Sequence, residues 1–327
     1  MPTDLDTALR HACEASGLDA TGARLIHNSS NAVYVLPACD VVARVSSNAM
    51  DLPRARRAHA VTEWLTKSHG FGATAPLYGK EPVRFDGHTI GFWNYYSQLA
   101  KSPPTSKQLG RLLRSLHDLS PPPELDLPPW TPLESLHTEL HVQSVTGVIS
   151  EGERLWLLRR IDEVRAELRD LDWPLGFGLI HGDAWAGNLL WAHLADPAEA
   201  ILCDWDWVSV GPREVDLVPT WHASIRYGRD DNWVREFVLE YGYDLTTWSG
   251  YQPLLNMRDL VQLSGPLRRA KSSPDHARRL RQRLDDIRAG RRTTPWSQYR
   301  PTEIRHVSQP QMRPDSIWNT VAQEYRP

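Results

Sequence analysis

The segment Ile-His-Gly-Asp-Ala-Trp-Ala-Gly-Asn occupies positions 180–188 of this chain, and Asp-Trp-Asp follows at positions 204–206. Together they supply a carboxylate at Asp183, an amide at Asn188 and a second carboxylate at Asp204. A positioned carboxylate can accept the proton of an attacking hydroxyl, and Mg²⁺ prefers hard oxygen ligands. The combination indicates phosphoryl transfer from a nucleotide to a small-molecule alcohol, with Asp183 as base and the other two side chains as metal ligands.

Short apolar runs flank both segments, at residues 179–180, 189–191 and 200–203. They are too short for helices and are typical of buried strands. We predict that the second and third runs pair as a hairpin, which would bring Asn188 and Asp204 close together, as a shared metal ion requires. Because either triplet alone is usually an ordinary turn, the interpretation depends on the two segments occurring together beside these runs.

The first hundred residues predict an antiparallel meander of strands around one helix, which spans residues 52–69 and ends before a glycine. Lys101 to Pro104 form a plausible hinge, after which the apolar spacing becomes helical. We therefore predict an α+β chain with an N-terminal nucleotide-binding lobe at 1–96 and a catalytic, acceptor-binding lobe at 97–327, including a polar tail from about residue 291. The predicted strands of the first lobe are 24–27, 32–36, 41–45, 83–85 and 89–95.

Composition excludes several classes of protein. The 327 residues are 41% hydrophobic and 24% charged, and the formal net charge of -3 offers no basic field for nucleic acid. No apolar run reaches the roughly 18 residues of a membrane span, and the first residues lack the pattern of a signal peptide. The cysteines at 13, 39 and 203 have no metal-ligand spacing. We expect a cytoplasmic protein without nucleic-acid or membrane partners, as a monomer or homodimer.

The two segments resemble those of the aminoglycoside phosphotransferase and choline kinase superfamily, which is related to protein kinases. That family's catalytic loop has His-Gly-Asp, four residues and Asn, and its metal-binding segment is followed by Gly-Asp/Pro and Asp-Leu, matched here by Gly-Pro at 211–212 and Asp-Leu at 216–217. The resemblance covers about residues 24–290. It implies a bilobal protein-kinase-like fold with ATP or GTP and Mg²⁺ in the cleft, and it assigns the same roles to Asp183, Asn188 and Asp204.

The chain departs from the family where the nucleotide's phosphates would bind. The third strand usually offers a Lys, but Arg44 holds that position, and Arg can grip phosphate with two hydrogen bonds. The usual Glu partner on the next helix aligns with Ala58, and Glu63 lies about 140° away around that helix. The usual ion pair is therefore predicted to be missing or rebuilt.

The resemblance implies further contacts around the cleft. The loop that the family folds over the phosphates corresponds here to Ser29, Ser30 and Asn31, although a plain turn explains these residues equally well. The linker between the lobes, which contacts the base, corresponds to Trp93 and Tyr95.

Three residues beside the motifs are predicted to support the site. His181 would brace the catalytic loop through hydrogen bonds, and Asp216 would do the same. Asp206 would either lie next to the metal or orient its loop.

The acceptor would bind where the family builds its pocket from helices of the second lobe. Acidic side chains there would suit a cationic amine, although charges on helices usually form a solvated face, and tryptophans that could stack on a sugar or cation are at least as often core residues. The candidate acceptor residues are Trp185, Trp207, Glu214, Asp230 and Asp231.

The predicted function is Mg²⁺-dependent transfer of the γ-phosphate of ATP or GTP to a hydroxyl of a small molecule, namely an aminoglycoside or other antibiotic, an amino sugar or an amino alcohol. A catalytically degenerate nucleotide- or ligand-binding module stays open, because Arg44 replaces the usual Lys and its Glu partner is missing. A metal-dependent hydrolase is the third interpretation, but the close pair His137 and His141 lies far from the motifs.

Overall fold

An antiparallel sheet forms the N-terminal part of the chain. The structure, a computed structural model, describes residues 4–28, 31–46, 51–98, 102–142, 147–192, 199–292 and 295–296. The strands of the sheet are β1 (Arg24–Asn28), β2 (Ala32–Leu36), β3 (Val41–Ser46), β4 (Val83–Phe85) and β5 (His88–Asn94). Their order across the sheet is β1-β2-β3-β5-β4, with every neighbouring pair antiparallel. The predicted antiparallel meander is confirmed, and β4 and β5 pair as a hairpin.

The alternation of side chains in β3 separates the core of this sheet from the cleft. Val41, Ala43 and Val45 are buried in the N-terminal core. Because successive strand residues point to opposite faces, Arg44 points away from that core. A first helix, α1 (Leu5–Ala15), packs Leu9, Ala12 and Cys13 onto this core. Helix α1 was not predicted from the sequence, because two of its four buried residues are alanines, which give a weak apolar pattern.

Helices make up most of the remaining chain. The second helix, α2 (Leu52–His69), has the predicted bounds. Those that follow are α3 (Ser106–His117), α4 (Glu134–His141), α5 (Glu151–Arg169), α6 (Glu214–Tyr227), α7 (Asp231–Tyr241), α8 (Tyr251–Val261), α9 (Ser264–Arg269) and α10 (Pro274–Arg288). The predicted α+β class is confirmed. The boundary between lobes at residue 96 stays a prediction, since α2 contributes Val61 and Leu65 to the hydrophobic cluster of the helical part.

Two short, two-stranded antiparallel sheets carry the loops that are predicted to be functional. Strand β7 (Leu189–Trp191) pairs antiparallel with β8 (Ala200–Leu202), as predicted. Strand β6 (Phe177–Ile180) pairs with β9 (Ser209–Pro212), a partner that the sequence analysis did not identify. The segment after α2 fixes β8 in place, because the N–H of Leu202 donates to the carbonyl of Gly72 (2.8 Å) and the N–H of Thr74 donates back to Leu202 (3.0 Å).

The chain returns to the helical body after α10. Trp296 is buried, its backbone N–H donates to the carbonyl of Arg226 at 2.6 Å, and its indole N–H donates to Asp286 at 3.0 Å. Trp296, near the start of the polar tail, therefore packs on α6 and α10. The rest of the predicted tail lies outside the described residues. Among the described helices, none combines the length and the apolar character that a membrane crossing needs.

Candidate active site

The loop after β6 is held by one buried carboxylate. Asp216, in the first turn of α6, accepts hydrogen bonds from the backbone N–H groups of His181 (2.6 Å) and Gly182 (2.8 Å). His117 Nε2 lies 3.2 Å from the same carboxylate and His117 Nδ1 lies 2.8 Å from the Tyr241 hydroxyl. Hydrogen bonds to an ionised acceptor are short and strong. The loop is thus tied through Asp216 to three helices, which is the bracing position predicted for this residue.

Gly182 allows a backbone path that other residues would resist. Its φ is +83°, in the left-handed region. A Cβ atom there would lie 2.3 Å from the carbonyl oxygen of Trp207. The loop before the predicted base therefore passes directly against the segment that follows Asp206. His181, whose Nε2 lies 3.0 Å from the carbonyl oxygen of Cys203, ties the same two segments together.

Asp183 meets a cation that the sequence analysis did not identify. Arg258 Nη1 donates to Asp183 Oδ1 at 2.8 Å, and the two side chains are 9% and 31% exposed. Arg258 lies on α8, 75 residues beyond Asp183. The only signal in the sequence is a cation among the buried apolar residues of that helix, such as Leu254 and Leu255.

The β7–β8 hairpin brings the two predicted metal ligands together. The N–H of Cys203 donates to the carbonyl of Asn188 at 2.9 Å, which places Asp204 beside Asn188 at the mouth of the hairpin. The Asn188 amide nitrogen donates to the Asp183 carbonyl at 3.0 Å, so the side-chain oxygen is the atom left to face a cation. Asp204 has a left-handed backbone, with φ of 68°, and its side chain is 41% exposed.

These donors suit Mg²⁺. One carboxylate and one amide oxygen are hard ligands, and Mg²⁺ commonly takes few protein ligands and completes its octahedron with phosphate oxygens and water. No group of three or more His, Cys, Asp or Glu within the described part of the chain could hold a metal ion. The arrangement thus fits a site shared with a nucleotide better than a metal cage built wholly from protein.

Arg44 bridges from the sheet to the segment at 204–206, which is predicted to bind metal. Its guanidinium binds both oxygens of Asp206 (2.7 and 2.6 Å) and one oxygen of Asp204 (2.7 Å). Burial opposes the charge, but these two carboxylates outweigh it and raise the pKa of Arg44 above its ordinary value. Glu63 pairs instead with Lys67 at 2.5 Å on the exposed face of α2, and Ala58 is buried. Arg44 therefore pairs with the aspartates of the 204–206 segment and not with a glutamate of α2.

Three of the predicted nucleotide residues, Asn31, Arg44 and Trp93, line a small cavity together with His59. The cavity has a volume of about 30 Å³, which is room for about one water molecule. The backbone N–H of Tyr95 already donates to the Asp40 carbonyl at 3.1 Å.

The other two residues of the predicted phosphate loop, Ser29 and Ser30, lie outside the described residues.

The predicted acceptor residues occupy different environments. Trp185 and Trp207 are 47% and 38% exposed, and the guanidinium of Arg54 lies 4.5 Å from the Trp207 ring centre. Asp230 caps α7 by accepting from the N–H of Trp233 at 3.0 Å. Asp231 is an exposed residue of the first turn.

Glu214 requires a correction. The sequence analysis placed it in the acceptor pocket, but it is fully buried (0% exposed) and accepts a hydrogen bond from the N–H of Leu175 at 2.7 Å. Burial raises the pKa of its carboxyl. A residue so enclosed cannot contact an acceptor in the cleft, and its position in the first turn of α6 instead ties that helix to the segment before β6.

Comparison with protein families identifies one match. The APH model, described as a phosphotransferase enzyme family, matches residues 22–254, which contain the sheet, both functional loops and the first helices of the second part. No curated protein sequence matches the chain significantly.

Comparison with solved structures shows the fold. A microcompartment-associated aminopropanol kinase is similar with a TM-score of 0.64 and 16% identity, over 85% of this chain and 94% of that chain. Amicoumacin kinase hAmiN in complex with AMP-PNP, Ca²⁺ and Ami has a TM-score of 0.61 and 15% identity, over 90% and 96% of the two chains. The GDP and kanamycin complex of APH(2")-IIia has a TM-score of 0.60 and 16% identity, over 86% and 98%. The predicted bilobal kinase-like fold is confirmed.

Proposed function

Because this chain belongs to the phosphotransferase enzyme family, we propose that it is a Mg²⁺-dependent small-molecule kinase, which transfers the γ-phosphate of ATP or GTP to a hydroxyl group. One observation carries the proposal: the Asn188 amide bonds the Asp183 backbone at 3.0 Å while the β7–β8 hairpin sets Asp204 alongside. This arrangement supports a site in which a proton acceptor and two oxygen ligands would act together, as phosphoryl transfer requires.

The side chains divide the chemical work. Asp183 uses the carboxylate oxygen that Arg258 does not hold to accept the proton of the acceptor hydroxyl, while that hydroxyl oxygen attacks the γ-phosphorus. The bond from the γ-phosphorus to the bridging oxygen breaks, and the nucleoside diphosphate leaves with that oxygen. Asn188 and Asp204 would hold Mg²⁺, which when bound neutralises phosphate charge. Arg44 would give up a carboxylate contact to grip phosphate oxygens, since a guanidinium matches both anions.

The neighbouring structures support a nucleotide co-substrate without selecting one. One of them contains AMP-PNP and another GDP. For the acceptor we propose a small molecule such as an antibiotic, an amino sugar or an amino alcohol, in line with the amicoumacin, kanamycin and aminopropanol named for those proteins. We place the reaction in the cytoplasm, where these nucleotides are abundant, and we propose no nucleic-acid or membrane partner.

One observation favours a second candidate, a nucleotide-binding module without turnover. Arg44 bonds both Asp204 and Asp206, so a guanidinium stands against the carboxylate that the metal ion would need. Such a module would bind nucleotide but never modify an acceptor.

A turnover screen with a matched pair of variants tests the proposal. The purified protein is incubated with ATP or GTP, Mg²⁺ and a panel of aminoglycosides, other antibiotics, amino sugars and amino alcohols, and mass spectrometry detects a phosphoryl group added to the acceptor. We expect Asp183→Asn to bind nucleotide normally and to lower kcat by at least about a hundredfold, because general-base catalysis contributes about 10²–10⁴-fold.

The matched control is Asp118→Asn, which alters an exposed carboxylate at the end of α3 and is expected to retain full turnover. Equal turnover in Asp183→Asn and the wild type would disprove the assignment of the base. Nucleotide binding with no phosphorylated product across the whole panel would favour the module.

A further inference from the structure

We propose that Arg258 is a positioning residue: its guanidinium holds one carboxylate oxygen of Asp183 so that the other oxygen faces the acceptor hydroxyl. The inference rests on the proposed function, because Asp183 would be the group that takes the proton. The bond is single and directional, from Arg258 Nη1 to Asp183 Oδ1 at 2.8 Å. It leaves the second carboxylate oxygen for chemistry.

The helix that carries Arg258 is itself locked. The neighbouring residue, Asp259, accepts hydrogen bonds from Arg226 Nε (2.8 Å) and Nη2 (2.6 Å), and His222 Nε2 lies 3.1 Å from the same carboxylate. All three groups are buried. Since Arg226 and His222 both belong to α6, α8 is fixed in rotation against α6. Arg258 therefore reaches the catalytic loop from a rigid element and not from a mobile surface.

The energetics of Arg258 point to function more than to stability. Its side chain is 9% exposed, and its buried Nε has no hydrogen-bond partner. Burying an ion pair often costs as much as the attraction returns, and an unsatisfied buried donor adds a further cost. A residue selected only to stabilise α8 would be expected to satisfy its donors. Sites that break such local rules are commonly functional.

The surroundings of Asp183 explain why its carboxylate needs holding. The neighbouring segments carry three further carboxylates: Asp204 and Asp206, which accept hydrogen bonds from Arg44, and Asp216 in the first turn of α6, which accepts one from the backbone of His181. Like charges repel an unpaired carboxylate and favour its rotation away from them. Because a displacement of about 1 Å at a catalytic group can cost about 10²-fold in rate, one fixed hydrogen bond to Asp183 has a large expected effect on turnover.

Four variants test the role of Arg258: Arg258→Met, Arg258→Lys, Asp183→Asn, and the double variant that combines Arg258→Met with Asp183→Asn. We expect Arg258→Met to lower kcat by about 10–100-fold, with KM for nucleotide and acceptor within about threefold of wild type. Arg258→Lys keeps the charge without the planar fork and should recover part of the lost kcat. The double variant should be no slower than Asp183→Asn alone, because Arg258 acts only through that carboxylate.

Two controls separate positioning from folding. Arg268→Met removes an exposed guanidinium that pairs with Glu139 at 3.2 Å, and it should leave kcat and Tm unchanged. Arg226→Met breaks the buried pair with Asp259 and should lower Tm strongly, whereas Arg258→Met should leave Tm close to wild type.

A higher acceptor KM with unchanged kcat in Arg258→Met would overturn the proposal, as would a loss of Tm as large as that of Arg226→Met. Wild-type kcat in Arg258→Met alongside a large loss in Asp183→Asn would reject only the role of Arg258. Unchanged turnover in Asp183→Asn would instead reject the proposed function.

Discussion

Arg44 shows how one residue can serve two sets of partners. In the sheet it lies between Val33 and Gly91 in register, and its guanidinium reaches across to Asp204 and Asp206. Nucleotide phosphates would offer the same geometry of acceptor oxygens that these carboxylates provide. Under the proposed function, binding of a nucleotide with Mg²⁺ would replace one set of anions by another around the Arg44 guanidinium.

Loss of the Arg44 cation should weaken nucleotide binding. Hydrogen bonds between charged groups contribute about 1.5–3 kcal/mol each, so we expect Arg44→Met to raise the Kd of ATP or GTP with Mg²⁺ by about 10–100-fold. Calorimetry measures the Kd directly. Arg84→Met, which removes an exposed cation from β4 of the same sheet, should bind nucleotide like wild type. An unchanged Kd in Arg44→Met would mean that the guanidinium serves only the aspartates.

The sequence was sufficient to predict part of this site and not the rest. Asn188 and Asp204 were predicted to lie close together because the short apolar runs beside them could pair locally, and β7 and β8 form that pairing. Arg258 was not predicted, since its contact depends on how α8 packs 75 residues downstream. Glu214 was misplaced for a related reason: an acidic residue at the start of a helix usually faces solvent, and only tertiary packing buries this one.

At the scale of elements, two strand pairings position the loops that contain Asp183 and Asp204, and the sequence indicates only one of them. The β7–β8 pairing joins segments close in sequence and was predicted from their apolar runs. Strand β9 pairs with β6 across the whole functional region, and its residues Ser-Val-Gly-Pro at 209–212 carry little strand pattern. Helix α1 was not predicted because its buried face contains small residues such as Ala8 and Ala12, which give only a weak apolar periodicity. The elements that could not be predicted from the sequence are therefore the ones that depend on a non-local strand pairing or on small buried side chains.

Gly182 is the point where the β6 loop depends most on backbone geometry. Replacing it with Ala introduces a left-handed residue, which costs about 1–3 kcal/mol, and a Cβ atom 2.3 Å from the Trp207 carbonyl oxygen. We expect Gly182→Ala to lower the free energy of unfolding by at least that amount and to reduce kcat more than tenfold, because the loop must move. Chemical denaturation and turnover measure the two effects.

Gly152→Ala is the matched control for Gly182→Ala. Gly152 lies in α5, where an added Cβ atom would meet nothing within 4 Å. Alanine is favoured over glycine in a helix by about 1 kcal/mol, so this variant should be slightly more stable than wild type and equally active. Wild-type stability and turnover in Gly182→Ala would show that the loop tolerates a side chain.

At the scale of the whole molecule, hydrogen bonds connect the sheet to the helical part. Arg44 joins β3 to the segment after β8, and Arg269 of α9 donates to the carbonyl of Asn28 in β1 at 3.1 Å. Two arginines therefore join the sheet to the helical part by direct hydrogen bonds. The sequence did not indicate these contacts, because they join residues 160 to 241 positions apart.

Two buried histidines in different parts of the molecule make its stability depend on pH. Burial lowers the pKa of His59, beside Trp93, to about 4. Burial also lowers the pKa of His222 to about 4, although Asp259 opposes that shift. In the unfolded chain a histidine has a pKa of about 6.5. Below that pH the unfolded chain takes up protons that the folded chain cannot, so the free energy of unfolding falls as the pH decreases from about 6.5 towards 4.

The contribution of His59 to this loss can be isolated. Between pH 7 and pH 5 we expect the wild type to lose on the order of 2 kcal/mol for each of the two histidines. His59→Gln has no titrating group at that position and should lose correspondingly less, whereas His141→Gln, at an exposed position on α4, should lose as much as wild type. Urea denaturation at the two pH values gives each difference. Equal losses in His59→Gln and the wild type would mean that His59 titrates alike in the folded and unfolded chains.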